Sequence, residues 1–425
     1  MRVAGMSPSR PQMVPVAKCT GMSNICSMPL VFRCLLLIAL IAGPARAERL
    51  PLPPLVGNVS GGIKPLVIPG APALAWEVAL DSKGAHERTG EVRLRGPGTD
   101  VVLALAVNIE TGAGTWSLAK GVLELEAWAG AITRQLGAAA GQDLRITGTL
   151  ELTGSGTVQE GHLVGEIDFA LREATLGSAT EGWTLEGIAA GGRFALASDP
   201  LAARSVEPFT LAVRTISHPR FGARNLSVNG VLVDRGTFKL TSARLEIAGG
   251  TMLVAPTDVT LAPFRILADV TVNRIGLQDV AALVPSAVRS AFGRVDGTAQ
   301  LGWSEERGIE VGRGHLVLRT DEPAEVTLNP SPGLFTSGLP NLVVKYAVPG
   351  LKQAEMGEVP IAADSLDITF SPDADALGRT ATVHLTGVPK DEKRKPRISL
   401  TTNVRGPLKP FIKLGTEGDL SMSFR

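Results

Sequence analysis

The chain has 425 residues with 42 Lys+Arg against 41 Asp+Glu, a formal net charge of +1, and aromatics at only 4%. Near-neutrality removes the electrostatic case for a nucleic-acid partner. A mean hydropathy of +0.19 with 48 glycines and 29 prolines describes many short aliphatic runs broken by turns.

All three cysteines, Cys19, Cys26 and Cys34, precede residue 47. Arg33, the apolar run Leu35–Ala42 and the exit Ala45-Arg46-Ala47 have the order of a secretory signal, so residues 1–47 are expected to be a signal peptide, with an uncleaved inner-membrane anchor as the alternative. Cleavage there leaves a mature chain without cysteine, hence without disulfides or thiolate metal sites. The expected location is the periplasm or cell envelope. Residues 48–75, with Pro51, Pro53, Pro54, Pro65 and Pro72, read as an extended tether.

From Trp76 the sequence alternates apolar and polar residues, as half-buried strands do. Strands are expected at Trp76–Asp81, around Val92 and Leu94, over Val101–Ile109 and over Trp116–Ala127, followed by an alanine-rich helix over Ala127–Ala140. Alternation resumes from Leu144 to Leu152, a turn is expected at Gly154-Ser155-Gly156, and a further strand passes from His162 to Leu171. More strands follow over Trp183–Leu196, Phe209–Ile216, Asn225–Val233 and Thr237–Ala243.

The stretch Arg244–Thr320 is the clearest. Leu245 and Ile247 oppose Arg244 and Glu246; after Gly249-Gly250, Phe264, Ile266, Ala268, Val270 and Val272 alternate with polar residues. The pattern turns helical between Leu277 and Ser290, then alternates again through Leu301 and Trp303, past a polar hairpin, to Arg319. Thr147-Gly148-Thr149-Leu150-Glu151-Leu152 resembles Asp296-Gly297-Thr298-Ala299-Gln300-Leu301, and Gly161-His162-Leu163-Val164 resembles Gly314-His315-Leu316-Val317, which suggests a duplicated unit. A last module places Leu366, Ile368 and Phe370 opposite Asp367 and Thr369, passes the charged tip Lys390–Lys395, and ends in the alternating Leu420–Arg425.

The fold class expected is mainly β: an elongated, curved antiparallel sheet forming a groove, with a few short helices. The expected segments are 76–240, 241–330 and 331–425.

Candidate sites for chemistry are absent. The five histidines, His86, His162, His218, His315 and His384, lie singly, with no ligand-spaced partner. Asp373-Ala374-Asp375 has His384 where an EF-hand needs its bidentate acid. No phosphate-cradling or nucleophile-elbow motif occurs. No catalytic residue, metal or cofactor is therefore expected. Apolar strand faces ordinarily belong to a closed core, but alternation this long, with so little helix to cover it, leaves a greasy face in need of a guest. Burying hydrocarbon is worth about 0.8 kcal/mol per methylene, so a palmitoyl-length chain contributes on the order of 10 kcal/mol before entropic costs. The candidate groove residues are Leu245, Ile247, Phe264, Ile266, Val270, Val272, Leu301, Trp303, Leu366, Ile368 and Phe370. A one-residue change of register would invert the face.

The runs Arg244–Met252, Gly276–Val280, Gly293–Thr298, Gly308-Ile309 and Gly312–Gly314 resemble the YdbH family, which belongs with the AsmA-like and TamB proteins of the Gram-negative envelope. Leu366-Asp367-Ile368, Val383–Gly387 and Leu400–Leu408 resemble its C-terminal pattern, so the similarity spans about Trp183 to Arg425 and, more loosely, the earlier repeat. The resemblance implies a taco-folded β-groove that conducts phospholipid between inner and outer membranes without chemistry. Its expected partners are phospholipid, the membrane surfaces and other envelope proteins. The alternative is a non-catalytic structural or adhesion protein whose apolar faces are sealed. A solenoid hydrolase lacks a carboxylate or histidine cluster, and a transmembrane barrel lacks aromatic girdles, Tyr346 being the only tyrosine.

Overall fold

The computed structural model describes residues 57–63, 70–136, 144–159, 162–180, 182–198, 201–219, 221–234, 236–261, 263–281, 287–304, 308–346, 348–371, 379–390 and 396–405. The stretches expected as a signal peptide (1–47), a loop (Asp373–Gly378) and a terminal strand (Leu420–Arg425), and the charged run Lys390–Lys395 beyond Lys390, lie outside the described residues.

The described chain forms one antiparallel sheet of 22 strands. Its first part runs β1 (Gly57–Ile63), β2 (Leu74–Ser82), β3 (Glu87–Gly96), β4 (Thr99–Asn108), β5 (Gly114–Glu124), helix α1 (Leu125–Leu136), β6 (Leu144–Gln159), β7 (His162–Ser178) and β8 (Trp183–Ser198). Each strand pairs with the next. Gly57–Ile63, within the stretch read as a tether, thus adds a strand beside β2.

Two positions in the meander are split between strands. β9 (Leu201–Ser205) and β10 (Phe209–His218) both pair with β8, separated around Pro208. After β11 (Phe221–Leu232) and β12 (Thr237–Ile247), β13 (Gly250–Val254) and β14 (Thr257–Leu261) together bridge β12 to β15 (Phe264–Gly276), separated by Ala255-Pro256. Proline has no N–H for the ladder, which accounts for both gaps.

Helix α2 (Leu277–Ala281) and β16 (Val288–Phe292) then leave the meander, and β15 pairs directly with β17 (Arg294–Ser304). The helical reading of Leu277–Ser290 holds over Leu277–Ala281 and fails from Val288, because Val288–Phe292 is a strand paired with β19 (Glu325–Leu328). β18 (Gly308–Leu318) follows β17. Beyond β19 come α3 (Asn341–Tyr346) and α4 (Pro349–Glu355), then β20 (Ile361–Phe370), β21 (Arg379–Pro389) and β22 (Ile398–Arg405). β20 forks, pairing with β19 at its start and with β18 at its end. Among the described residues β1 and β22 pair only with β2 and β21, so the sheet stays open and is not a barrel. No described helix is long and apolar enough to cross a membrane.

Strands as long as the 17 residues of β7 must bend, and bulges supply the bend. Non-glycine backbone in the left-handed region occurs at Glu173, Asn225, Ala248 and Arg274 among the described residues. Glu173, Asn225 and Arg274 fall inside the register breaks of β7, β11 and β15. Each is tied to a neighbouring strand. Arg214 of β10 crosses β8 above Gly187 to reach both carboxylate oxygens of Glu173 at 3.1 and 3.0 Å. Asn225 donates to Glu246 at 2.9 Å, and the Arg274 N–H donates to Asp296 at 2.6 Å. A side chain at Gly187, whose φ is +63°, would collide with Arg214.

The two resembling stretches differ in pairing. Thr149 lies opposite Arg172, whereas Thr298 lies opposite His315. The expected turn at Gly154-Ser155-Gly156 is interior strand: β6 continues to Gln159. Gly156 pairs with Gly165, and the indole of Trp116 lies on this bare patch, donating from Nε1 to the Val164 carbonyl at 3.1 Å. A Cβ on either glycine would sit 2.6 Å from the indole. These glycines exist for close approach, and only the tertiary partner reveals it.

Candidate functional site

Residues directly opposite one another in adjacent strands point to the same face. Leu245 faces Met252, which faces Val272, which faces Gly297. Gly297 faces Leu316, which faces Ile368, and Ile368 faces Val383. Leu301 faces Ala268, Trp303 faces Ile266, and Phe370 faces Gly314. Adding alternation along each strand, all eleven groove residues share one face. That face is the apolar one: Val270, Val272, Leu366 and Ile368 are buried with Val295, Leu316 and Leu385, and Ile247, Leu301 and Phe370 pack against them. Phe264 and Ile266 pack on a neighbouring cluster of Leu240, Ala243 and Val259. Leu245 is half-buried outside both clusters, and Trp303 is 38% exposed while touching Phe264 edge-on.

The N-terminal half of this face, in the segment expected over 76–240, holds none of the residues that the sequence singled out for the groove. Leu74, Val101, Trp116, Leu118, Leu152, Phe169 and Phe194 form its core, and α1 lays Trp128, Ala131 and Ile132 on it, with the Trp128 indole donating to Thr99 Oγ1 at 3.0 Å. Phe238 and Leu261 adjoin both this core and the Leu240 cluster, and Val254 adjoins the Leu240 cluster and the C-terminal one. The apolar face therefore continues from β2 to β22. An aromatic stripe runs along it: Phe169 stacks on Phe194 and Phe209 at 5.5 and 5.9 Å, and Phe209 meets Phe238 at 6.0 Å. Gly192 lies between Phe169 and Phe209 and lets their rings approach across β8. Toward the middle of the sheet Phe209, Phe238, Phe264 and Ile266 are only half-buried, so protein does not cover them fully.

At the C-terminal end the face acquires a roof. Leu277, Val280 and Ala281 of α2, Val288 and Ala291 of β16, and Leu334 lie across from Leu366, Ile368, Val383, Leu385 and Leu400. Between them is a cavity of about 890 Å³ including its open mouth, where only Ser331 and Thr402 carry polar side chains. Its lining has the polarity of a site for an apolar ligand. The roof is pinned by Glu355, which is 2% exposed. Its carboxylate accepts from the Phe335 N–H at 3.0 Å, the Thr336 N–H at 3.2 Å and the Thr336 hydroxyl at 2.8 Å. Burial pushes this carboxyl upward, but the hydrogen bonds to its charged form outweigh burial and hold it below the usual glutamate range.

The opposite face is charged and paired across strands. Arg193 bonds Asp168 at 2.7 Å and approaches Glu207 at 3.3 Å; Arg319 bonds Asp296 at 2.6 Å; Lys390 bonds Glu325 at 2.6 Å. His315 hydrogen-bonds Asp367 at 2.7 Å and His384 hydrogen-bonds Thr401 at 3.0 Å, both on the charged side. Among the described residues no three metal-ligating side chains converge.

The family model described as YdbH-like, intermembrane phospholipid transport protein YdbH, matches residues 61–348. The match begins well before the stretch that carried the resemblance and ends before β20. No curated protein and no solved structure matches the chain.

Proposed function

The chain belongs to the YdbH-like family of intermembrane phospholipid transport proteins, and on that premise we propose that it is a conduit segment of the cell envelope. Phospholipid acyl chains lie against the apolar face while headgroups stay at the open rim, and lipid passes along the groove with no covalent step. Leu245, Ile247, Phe264, Ile266, Val270, Val272, Leu301, Trp303, Leu366, Ile368 and Phe370 form or support the floor.

The observation that supports this reading is the apolar face that continues through three linked clusters yet is only half-covered in its middle. A floor of this kind holds tails by area alone, about 0.8 kcal/mol per methylene. It needs no charged clamp, and weak contact at each methylene is what lets a chain slide. The charged outer face keeps the other side in water.

The test is to purify the chain from an exporting cell envelope and extract it. Phospholipid recovered in proportion to protein is the expected outcome. Protein that is empty, and that also takes up no phospholipid supplied in detergent, contradicts the reading and leaves a sealed scaffold.

A further inference from the structure

The insert between β19 and β20 carries an apolar surface that no part of the described fold covers. Val344 of α3 is buried, whereas Leu342 is 71% exposed, Tyr346 67%, and Leu339 and Val343 39% each. Leu342 and Tyr346 are four apart and so share one side of the helix. Grouped apolar exposure of this kind marks a contact surface.

Three features identify the occupant. First, Leu339–Tyr346 holds no acidic residue and one cation, Lys345, whose Nζ lies 5.3 Å from the Tyr346 ring centre. Aliphatic side chains, a phenol and a snorkelling lysine are suited to the boundary between acyl chains and anionic headgroups. Second, eight residues cannot supply the ~800 Å² per partner of a stable protein interface, whereas a bilayer accepts a small apolar tip. Third, the same insert contributes Leu334 to the roof of the apolar cavity, and α4 fixes it there through Glu355 and the Ser331 N–H to Glu355 carbonyl bond of 2.8 Å.

Resting on the transport reading above, we propose that α3 is a bilayer-docking tip that seats the cavity end of the groove on a phospholipid membrane surface. The probe is vesicles of phosphatidylethanolamine with a minority of phosphatidylglycerol, floated with the purified full chain. The double variant Leu342→Ser/Tyr346→Ser is expected to reduce vesicle partition roughly tenfold or more while its circular dichroism and its uptake of detergent-delivered phospholipid stay unchanged. Lys345→Glu is expected to weaken partition only when the anionic lipid is present. Wild-type protein that does not float, a double variant that floats equally well, or a wild-type dimer that the double variant dissociates would each overturn the proposal. Vesicle partition by a wild-type chain that takes up no phospholipid in solution would leave docking in place and remove the transport reading instead.

Discussion

Placing an aspartate on the groove floor separates an open face from a closed core, provided the position is chosen by exposure. Val270 is 2% exposed and lies between Val254 and Ala299, so Val270→Asp buries a carboxylate with no partner. The cost is several kcal/mol, about the whole stability of a domain, and unfolding is expected. Ile266 is half-buried beside the partly exposed Trp303. Full burial of an isoleucine is worth about 1.5–3 kcal/mol, so losing a half share together with partial desolvation of the carboxylate comes to about 1–2 kcal/mol. The fold should survive. A charge there denies a passing tail about four methylenes of contact, about 3 kcal/mol or roughly 100-fold in affinity. Thermal unfolding by circular dichroism and titration with a fluorescent phospholipid read the two effects separately. Folded Ile266→Asp with undiminished lipid affinity would refute the reasoning, as would Ile266→Asp unfolding as completely as Val270→Asp.

Other consequences follow from particular contacts. Ala291→Leu fills part of the roofed cavity; we expect unchanged or slightly higher thermal stability, up to about 1 kcal/mol, with less phospholipid recovered per protein. Gly165→Ala drives a Cβ to 2.6 Å from the Trp116 indole and 2.3 Å from the Ser155 carbonyl. It should cost about 3 kcal/mol, close to Trp116→Ala, and the double variant should cost less than their sum because both destroy one seat; denaturant titrations check this. Glu355 is held below its ordinary value near 4.5 by hydrogen bonds that outweigh its burial. Its stabilisation of the roof is therefore complete above that ordinary value and is lost as pH falls through the lower folded value. Hydrogen exchange at the Phe335 and Thr336 amides should accelerate in that acid range, and Glu355→Gln should remove the pH dependence while accelerating exchange at neutral pH.

Strand alternation carried most of the fold. From Phe264 to Val272 and from Leu366 to Phe370 the period of two identified both the elements and the residues sharing a face, because a sheet with one dry side writes that side directly into the sequence. What alternation cannot express is the partner of a small residue. Gly154-Ser155-Gly156 looks like a turn until Trp116, 40 residues earlier, is laid across it. Val288–Phe292 continues a helical spacing locally, and only pairing with Glu325–Leu328 makes it a strand. The cavity was illegible for the same reason: Leu277 and Leu400 line one space although β17, β18, β20 and β21 stand between the strands they adjoin. Helices α3 and α4 were missed because six or seven residues of helix leave too short a period to read.

The most direct measurement compares two neighbours. Ile266 points to the apolar face, and Leu267, 43% exposed, points to the charged one. A photo-crosslinking residue at 266 or at 303 in the envelope should capture phospholipid, and the same residue at 267 should capture none. Equal capture from 266 and 267, or capture from 267 alone, would contradict the assignment of lipid to the apolar face.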